Sequence, residues 1–269
     1  MSYKHIVLLA LASLGALPAH AFIIDGNLAD WGVTRHTGAA GWIPAPGIEY
    51  TIEDQNTEKL NPGYGGQAYD AEAIYATIRG QALYIALATG HHPNTLQNPR
   101  ANSYGAGDFA IDFGKDGRYE LGINFRHMTP AGRESFGVMG GVYGSAVWAL
   151  GLWDANGRYN PAQADPLHPT HLLDGVHLGN AALAFTTTGQ NGYGQWTQHL
   201  HYFYEMSVDL SLLSAGGWDG RAFNIHWTQN CANDSILVDP PGAVPEPATL
   251  ALLPLGLLGM LAMRRRRSG

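Results

Sequence analysis

Residues 72–89 read Glu-Ala-Ile-Tyr-Ala-Thr-Ile-Arg-Gly-Gln-Ala-Leu-Tyr-Ile-Ala-Leu-Ala-Thr. Two short apolar runs flank a turn at Arg79-Gly80-Gln81-Ala82. Pairing Ile78 with Leu83 sets Ala76 opposite Ile85 and Ile74 opposite Leu87, which makes one face aliphatic. The other face carries Tyr75, Thr77 and Tyr84. A period of two across a tight turn predicts a half-buried antiparallel hairpin.

A second hairpin follows at Asp108–Phe113 and Tyr119–Phe125, joined by Gly114-Lys115-Asp116-Gly117-Arg118. Pairing Phe113 with Tyr119 places Ile111 opposite Leu121 and Phe109 opposite Ile123, a strong core face. The opposite face must then hold Asp112 against Glu120 and Asp108 against Asn124. Like charges directly across a strand pair are destabilising. Further strands are predicted at Val142–Trp148, His199–Val208 and Ala222–Trp227, with a helical turn at Asp209–Leu213 capped by Asp209. Leu152–Tyr193, rich in Gly, Asn, His and Pro, predicts long loops. The fold class expected is all-β: an antiparallel, jelly-roll-like β-sandwich with long Gly-rich loops.

Composition agrees. Charged residues make up 14% of the 269, against roughly 25% in an average soluble domain. Gly and Pro together number 50, about 19% where ~12% is usual. No linker divides residues 22–243, so one domain is expected there, ending in the Asp239-Pro240-Pro241-Gly242-Ala243 stretch. Without Lys4, Arg264–Arg267 and Glu246, 10 basic residues face 21 acidic ones, a net charge of −11. That excess argues against nucleic acid as a partner and places calcium among the cofactors to expect. The single cysteine, Cys231, excludes an intrachain disulfide.

Both ends carry targeting patterns. Lys4 and His5 precede an apolar run, Ile6–Leu17, and Ala19-His20-Ala21 is a small-x-small cleavage site. Residues 1–21 are expected to be a signal peptide, an apolar helix removed by signal peptidase after the secretion machinery engages it, with Phe22 the first residue left. At the other end, Val244-Pro245-Glu246-Pro247 leads into an uncharged run, Ala248–Met263, and then Arg264, Arg265, Arg266 and Arg267. As a single transmembrane helix the run would span about 24 Å, with the arginines kept cytoplasmic. Residues 244–269 resemble the PEP-CTERM sorting signal of Gram-negative bacteria. The resemblance implies recognition at Pro245-Glu246-Pro247 by an exosortase, transient membrane anchoring, then display at the cell surface or in an exopolysaccharide matrix.

A second resemblance starts at Ile24-Asp25-Gly26-Asn27-Leu28-Ala29-Asp30-Trp31. It continues through Tyr69-Asp70-Ala71-Glu72-Ala73, Gly107–Asp112, Tyr204–Leu210 and His226–Asp234. These pieces look like family 9 carbohydrate-binding modules and DOMON-like β-sandwiches. The resemblance implies structural calcium and sugar binding by aromatic rings.

The candidate sites follow from side-chain chemistry. Asp108, Asp112 and Glu120 on one hairpin face, with Asp25 and Asp30 in the N-terminal turn, offer hard oxygen ligands for calcium; the alternative is a solvated acidic face. Trp153, Trp196 and Trp218 lie beside Gly-rich stretches and are candidate sugar platforms, with ordinary packing the alternative. Asp165, His168, His171, Asp174 and His177, with His199 and His201, are a metal-binding possibility that meets no established spacing. No nucleophile elbow or zinc-protease motif occurs, so no catalytic residue is assigned and no enzyme is expected. The sequence reads as an exosortase-sorted, non-catalytic structural or binding module for exopolysaccharide. A polysaccharide-active enzyme and a metal- or redox-binding DOMON-like domain are the alternatives.

Overall fold

The computed structural model describes residues 22–54 and 65–240. The expected signal peptide (residues 1–21) and membrane helix lie outside them. Among the described residues no helix is long and apolar enough to cross a membrane. The strands are β1 (His36–Thr37), β2 (Glu49–Ile52), β3 (Ala71–Arg79), β4 (Ala82–Thr89), β5 (Phe109–Asp112), β6 (Leu121–Ile123), β7 (Met128–Thr129) and β8 (Gly132–Arg133). They continue with β9 (Gly141–Leu150), β10 (Pro169–Asn180), β11 (Ala182–Phe185), β12 (Tyr193–Gly194) and β13 (Tyr202–Asp209). The single described α-helix, α1 (Leu210–Ala215), precedes β14 (Asn224–Thr228) and β15 (Ser235–Val238).

Both hairpins pair in the register that their alternation requires. Ile78 faces Leu83, and Ile74 faces Leu87. Phe109 faces Ile123, and Ile111 faces Leu121. Each hairpin seeds one antiparallel sheet. One sheet runs β11-β13-β4-β3-β2 and the other β10-β9-β6-β5-β14-β15. Between them lies one apolar core, in which Ile74, Ile85, Leu87, Tyr204 and Met206 meet Phe109, Ile111, Leu121, Ile225 and Trp227. Burying such aliphatic and aromatic faces is the main term holding the two layers together.

The face carrying Tyr75 and Tyr84 is also buried. Phe22, Leu28, Trp31, Val33 and Trp42 cover it, joined by Tyr193 and Phe203, to form a second core. The Asp-Gly…Asp-Trp opening is pinned there by Glu205. Its Oε2 accepts from the N–H groups of Asp25 (3.1 Å), Gly26 (2.5 Å) and Asn27 (2.9 Å), and its Oε1 from Trp31 Nε1 (2.7 Å). Gly26 sits at φ 82°, and a Cβ there would stand 3.2 Å from the Phe185 carbonyl carbon. Only glycine tolerates both the conformation and the approach.

The expectation of long loops across Leu152–Tyr193 holds for residues 152–168, which carry no strand, and fails beyond them. Residues 169–180 form β10, the longest described strand, paired along β9, and β11 follows at once. Four register shifts interrupt the β9–β10 ladder. Each bulge moves the side chains to the other face, so no period of two survives in the sequence to announce the strand. The turn predicted at Asp209–Leu213 is α1, and Asp209 Oδ1 accepts from Ser211 N at 2.7 Å as its N-cap.

Candidate ligand groove and carboxylate clusters

Two adjoining clefts flank Tyr119 on the six-stranded sheet. The larger, about 670 Å³, is lined by Arg118, Tyr119, Glu120, Ser145 and Trp148 among others. The smaller, about 330 Å³, is lined by Asp112, Lys115, Tyr119, His168, Asn224 and His226 among others. The aromatic walls are held rigidly. Trp148 Nε1 donates to the Tyr119 carbonyl at 2.9 Å, and the Tyr119 hydroxyl donates to the Leu167 carbonyl at 3.1 Å. Gly122 lies against Trp148, and a Cβ there would approach the indole to 2.8 Å. Burial, with Asp112 and Asp165 nearby, holds the Tyr119 phenol well above its usual range. The groove therefore sets the half-buried Trp148 ring beside the buried Tyr119, with charged and amide groups around them.

The hairpin acids of the sequence reading divide. Glu120 lines the larger cleft and Asp112 the smaller. With Asp116 they bring three carboxylate oxygens within 4.8 Å of one another. Much of their acceptor capacity is already used. Asp112 accepts from Asp116 N (3.2 Å) and Gly117 N (2.8 Å), and Glu120 from Phe113 N (2.9 Å). Asp108 is not part of this cluster. Its two oxygens accept from Phe125 N (2.6 Å) and Leu172 N (2.8 Å), which ties the start of β5 to the segment after β6 and to β10. Burial nonetheless pushes its carboxyl up to about 7. Asp25 and Asp30 accept from Asn27 N and Ile23 N, within the N-terminal turn itself.

The tryptophans separate as well. Trp218 is buried in the main core and donates to the Arg221 carbonyl at 2.7 Å, so its ring is not presented to a ligand. Trp153 is half-buried and donates to Asn233 Oδ1 at 3.1 Å. Trp196 is 46% exposed and stacks on His199. None of the three lines the groove; Trp148, which alternation placed at a strand end, does. The histidines do not converge on one point. His171 contacts Asn230, His177 contacts Asn180 and His201 pairs with Glu72 at 2.9 Å. Two pairs do approach: His168 and His226, Nδ1 to Nε2 at 3.3 Å, and His127 and His171, with ring centroids 4.9 Å apart; burial lowers the pKa of all four. Cys231 is buried, which pushes its thiol up to about 12 and keeps it unreactive at neutral pH.

A second carboxylate cluster escaped the sequence reading. Glu53, Asp70 and Asp234, all buried, bring one oxygen each within 4.8 Å of one another. Glu53 follows β2, Asp70 precedes β3 and Asp234 precedes β15. Residues so far apart in the chain leave no local signal.

No curated protein matches the chain. Residues 243–267, which include Pro245, Glu246, Pro247 and Arg264–Arg267, match the family model described as the PEP-CTERM protein-sorting motif. That motif supports an exosortase-sorted secreted or surface protein, exported and then sorted in association with the membrane.

Proposed function

We propose that residues 22–240 form a non-catalytic binding module that retains exopolysaccharide at the cell surface or in the extracellular matrix. The observation that carries this reading is the groove around Tyr119 and Trp148. The half-buried Trp148 ring suits the apolar face of a sugar ring, while Arg118, Glu120 and Asn224 around it suit hydroxyl groups. The sorting motif supports it by bringing the domain to where such polymers lie. The two-sheet architecture and the Asp-Gly…Asp-Trp opening fit the family 9 and DOMON-like resemblance. Phe22, the first residue expected after signal-peptide removal, stacks on Trp31 at 4.2 Å, which supports reading it as part of the folded domain.

The test is retention of the full chain, purified in mild detergent, on a panel of bacterial and plant polysaccharides. Retention on at least one glycan is expected, with Trp148→Ala weakening it tenfold or more and Trp196→Ala leaving it unchanged. Loss of retention in neither variant would move the site away from the groove. Failure to retain any glycan would overturn the reading, and release of reducing ends would replace it with a polysaccharide-active enzyme.

A further inference from the structure

Glu53, Asp70 and Asp234 come from three separate segments and meet where β15 lies over the β2–β3 edge. A bulge aims the first of them. The N–H groups of both Glu53 and Asp54 donate to the Glu72 carbonyl, at 2.8 and 3.2 Å. Consecutive side chains then diverge: Asp54 turns to Trp42 Nε1 and Gln195 N in the outer layer, while Glu53 joins the cluster. Asp70 is fixed through its carbonyl, which accepts from Thr89 Oγ1 and Gly90 N. Asp234 is fixed through Oδ2, which accepts from Ala71 N at 2.5 Å, and through its carbonyl, which accepts from Thr228 Oγ1.

Two further atoms point to a ligand. Asp234 is 1% exposed, yet its Oδ1 has no hydrogen-bond partner. Gln229, on the same β14–β15 loop, donates its amide to the Tyr69 carbonyl beside Asp70, and its buried Oε1 also has no partner. Buried acceptors left without donors are costly, and a cation that binds oxygen would satisfy them.

We propose that Glu53, Asp70 and Asp234 hold a calcium ion that clamps the last strand, β15, to the edge of the five-stranded sheet. The donor set is all oxygen, with no sulfur or imidazole, which selects a hard cation. Oxygens within 4.8 Å of one another can share one ion at Ca–O lengths of ~2.4 Å, and Gln229, backbone and water can complete a shell of 6–8. Burial, together with the charges of Glu53 and Asp70, pushes the Asp234 carboxyl well above the carboxylate range when no cation is present. A divalent cation removes that penalty. The clamped strand ends at Val238, shortly before the sorting motif that starts at residue 243, so the ion would fix the point from which the tail departs. This site is separate from the groove and does not depend on glycan binding.

The test uses the full chain in mild detergent, stripped with EDTA and titrated with CaCl₂ by calorimetry and thermal unfolding. Calcium at a hundredfold excess over Kd should raise Tm by about 5–10 °C. Asp234→Asn should abolish that rise while melting in EDTA no lower than wild type, because one of three crowded charges is gone. Glu53→Gln is the second variant should Asp234→Asn fail to fold, and Asp116→Asn, at the exposed member of the hairpin cluster, should respond like wild type. A wild-type protein with no calcium heat and no Tm shift would overturn the proposal, as would a wild-type calcium response in both Asp234→Asn and Glu53→Gln.

Discussion

The two carboxylate clusters look alike as sets of acids but differ in what already holds their oxygens. Asp112, Asp116 and Glu120 stand on one hairpin, and their oxygens cap its turn: Asp112 takes two N–H groups and Glu120 a third. Asp116 is exposed and its Oδ1 accepts from Arg118 N. Water and backbone can satisfy such a group without any ion. Glu53, Asp70 and Asp234 are buried, and Asp234 keeps one oxygen without a donor. Proximity of acids is therefore a weak guide to a cation site; burial with unfilled acceptors is a stronger one.

Asp108 marks the extreme of the first kind, a buried carboxylate consumed entirely by backbone. Asp108→Ala leaves the Phe125 and Leu172 N–H groups without acceptors and should cost about 2–4 kcal/mol in urea unfolding. A loss under 1 kcal/mol would mean that water reaches those donors. Next in size is the calcium contrast: Asp112→Asn should keep the wild-type rise in Tm, and Asp234→Asn should lose it. If Asp112→Asn abolished the rise, the hairpin would be the calcium site instead.

Smaller again is Asp112→Ala, which removes the acceptor for the turn N–H groups of Asp116 and Gly117. A loss of about 1–2 kcal/mol is expected from the urea midpoint. Asp116→Ala should change stability by no more than ~0.5 kcal/mol. A larger loss there would show that the hairpin cluster is strained or occupied.

Acid should expose the same distinction between satisfied and buried groups. Burial lowers His91 and His127 to about 4, and lowers His168, His171 and His226 as well. A histidine held neutral stabilises the fold above ~6.5 and loses that contribution as pH falls toward its folded value. Asp108 and Glu205, both pushed up to about 7 by burial, act oppositely, and their folded forms gain relative stability as pH falls from 7 to ~4.5. Asp234, raised by burial and by the charges of Glu53 and Asp70 when no cation is bound, acts in the same sense as those two; five histidines against three carboxyls give a net loss on acidification. The urea midpoint at pH 5 should lie below that at pH 6.5, and a midpoint that rose would show that the carboxyls dominate.

Local pattern determined much of this protein. Alternation across Arg79–Ala82 and across Gly114–Arg118 set both hairpins and their register, because a one-residue slip would turn every apolar side chain outward. The cap at Asp209 was legible because N-capping is a contact two residues long. Pro-Glu-Pro, an apolar run and four arginines were legible as a sorting tail because that signal is read linearly. Tertiary structure alone decided the rest. It made β10 a strand through bulges that erase the period, and buried Trp218 while setting Trp148 into the groove. It also brought residues 53, 70 and 234 to one point. Chain separation carries no information about such a meeting, since only the packing of one sheet on the other fixes it.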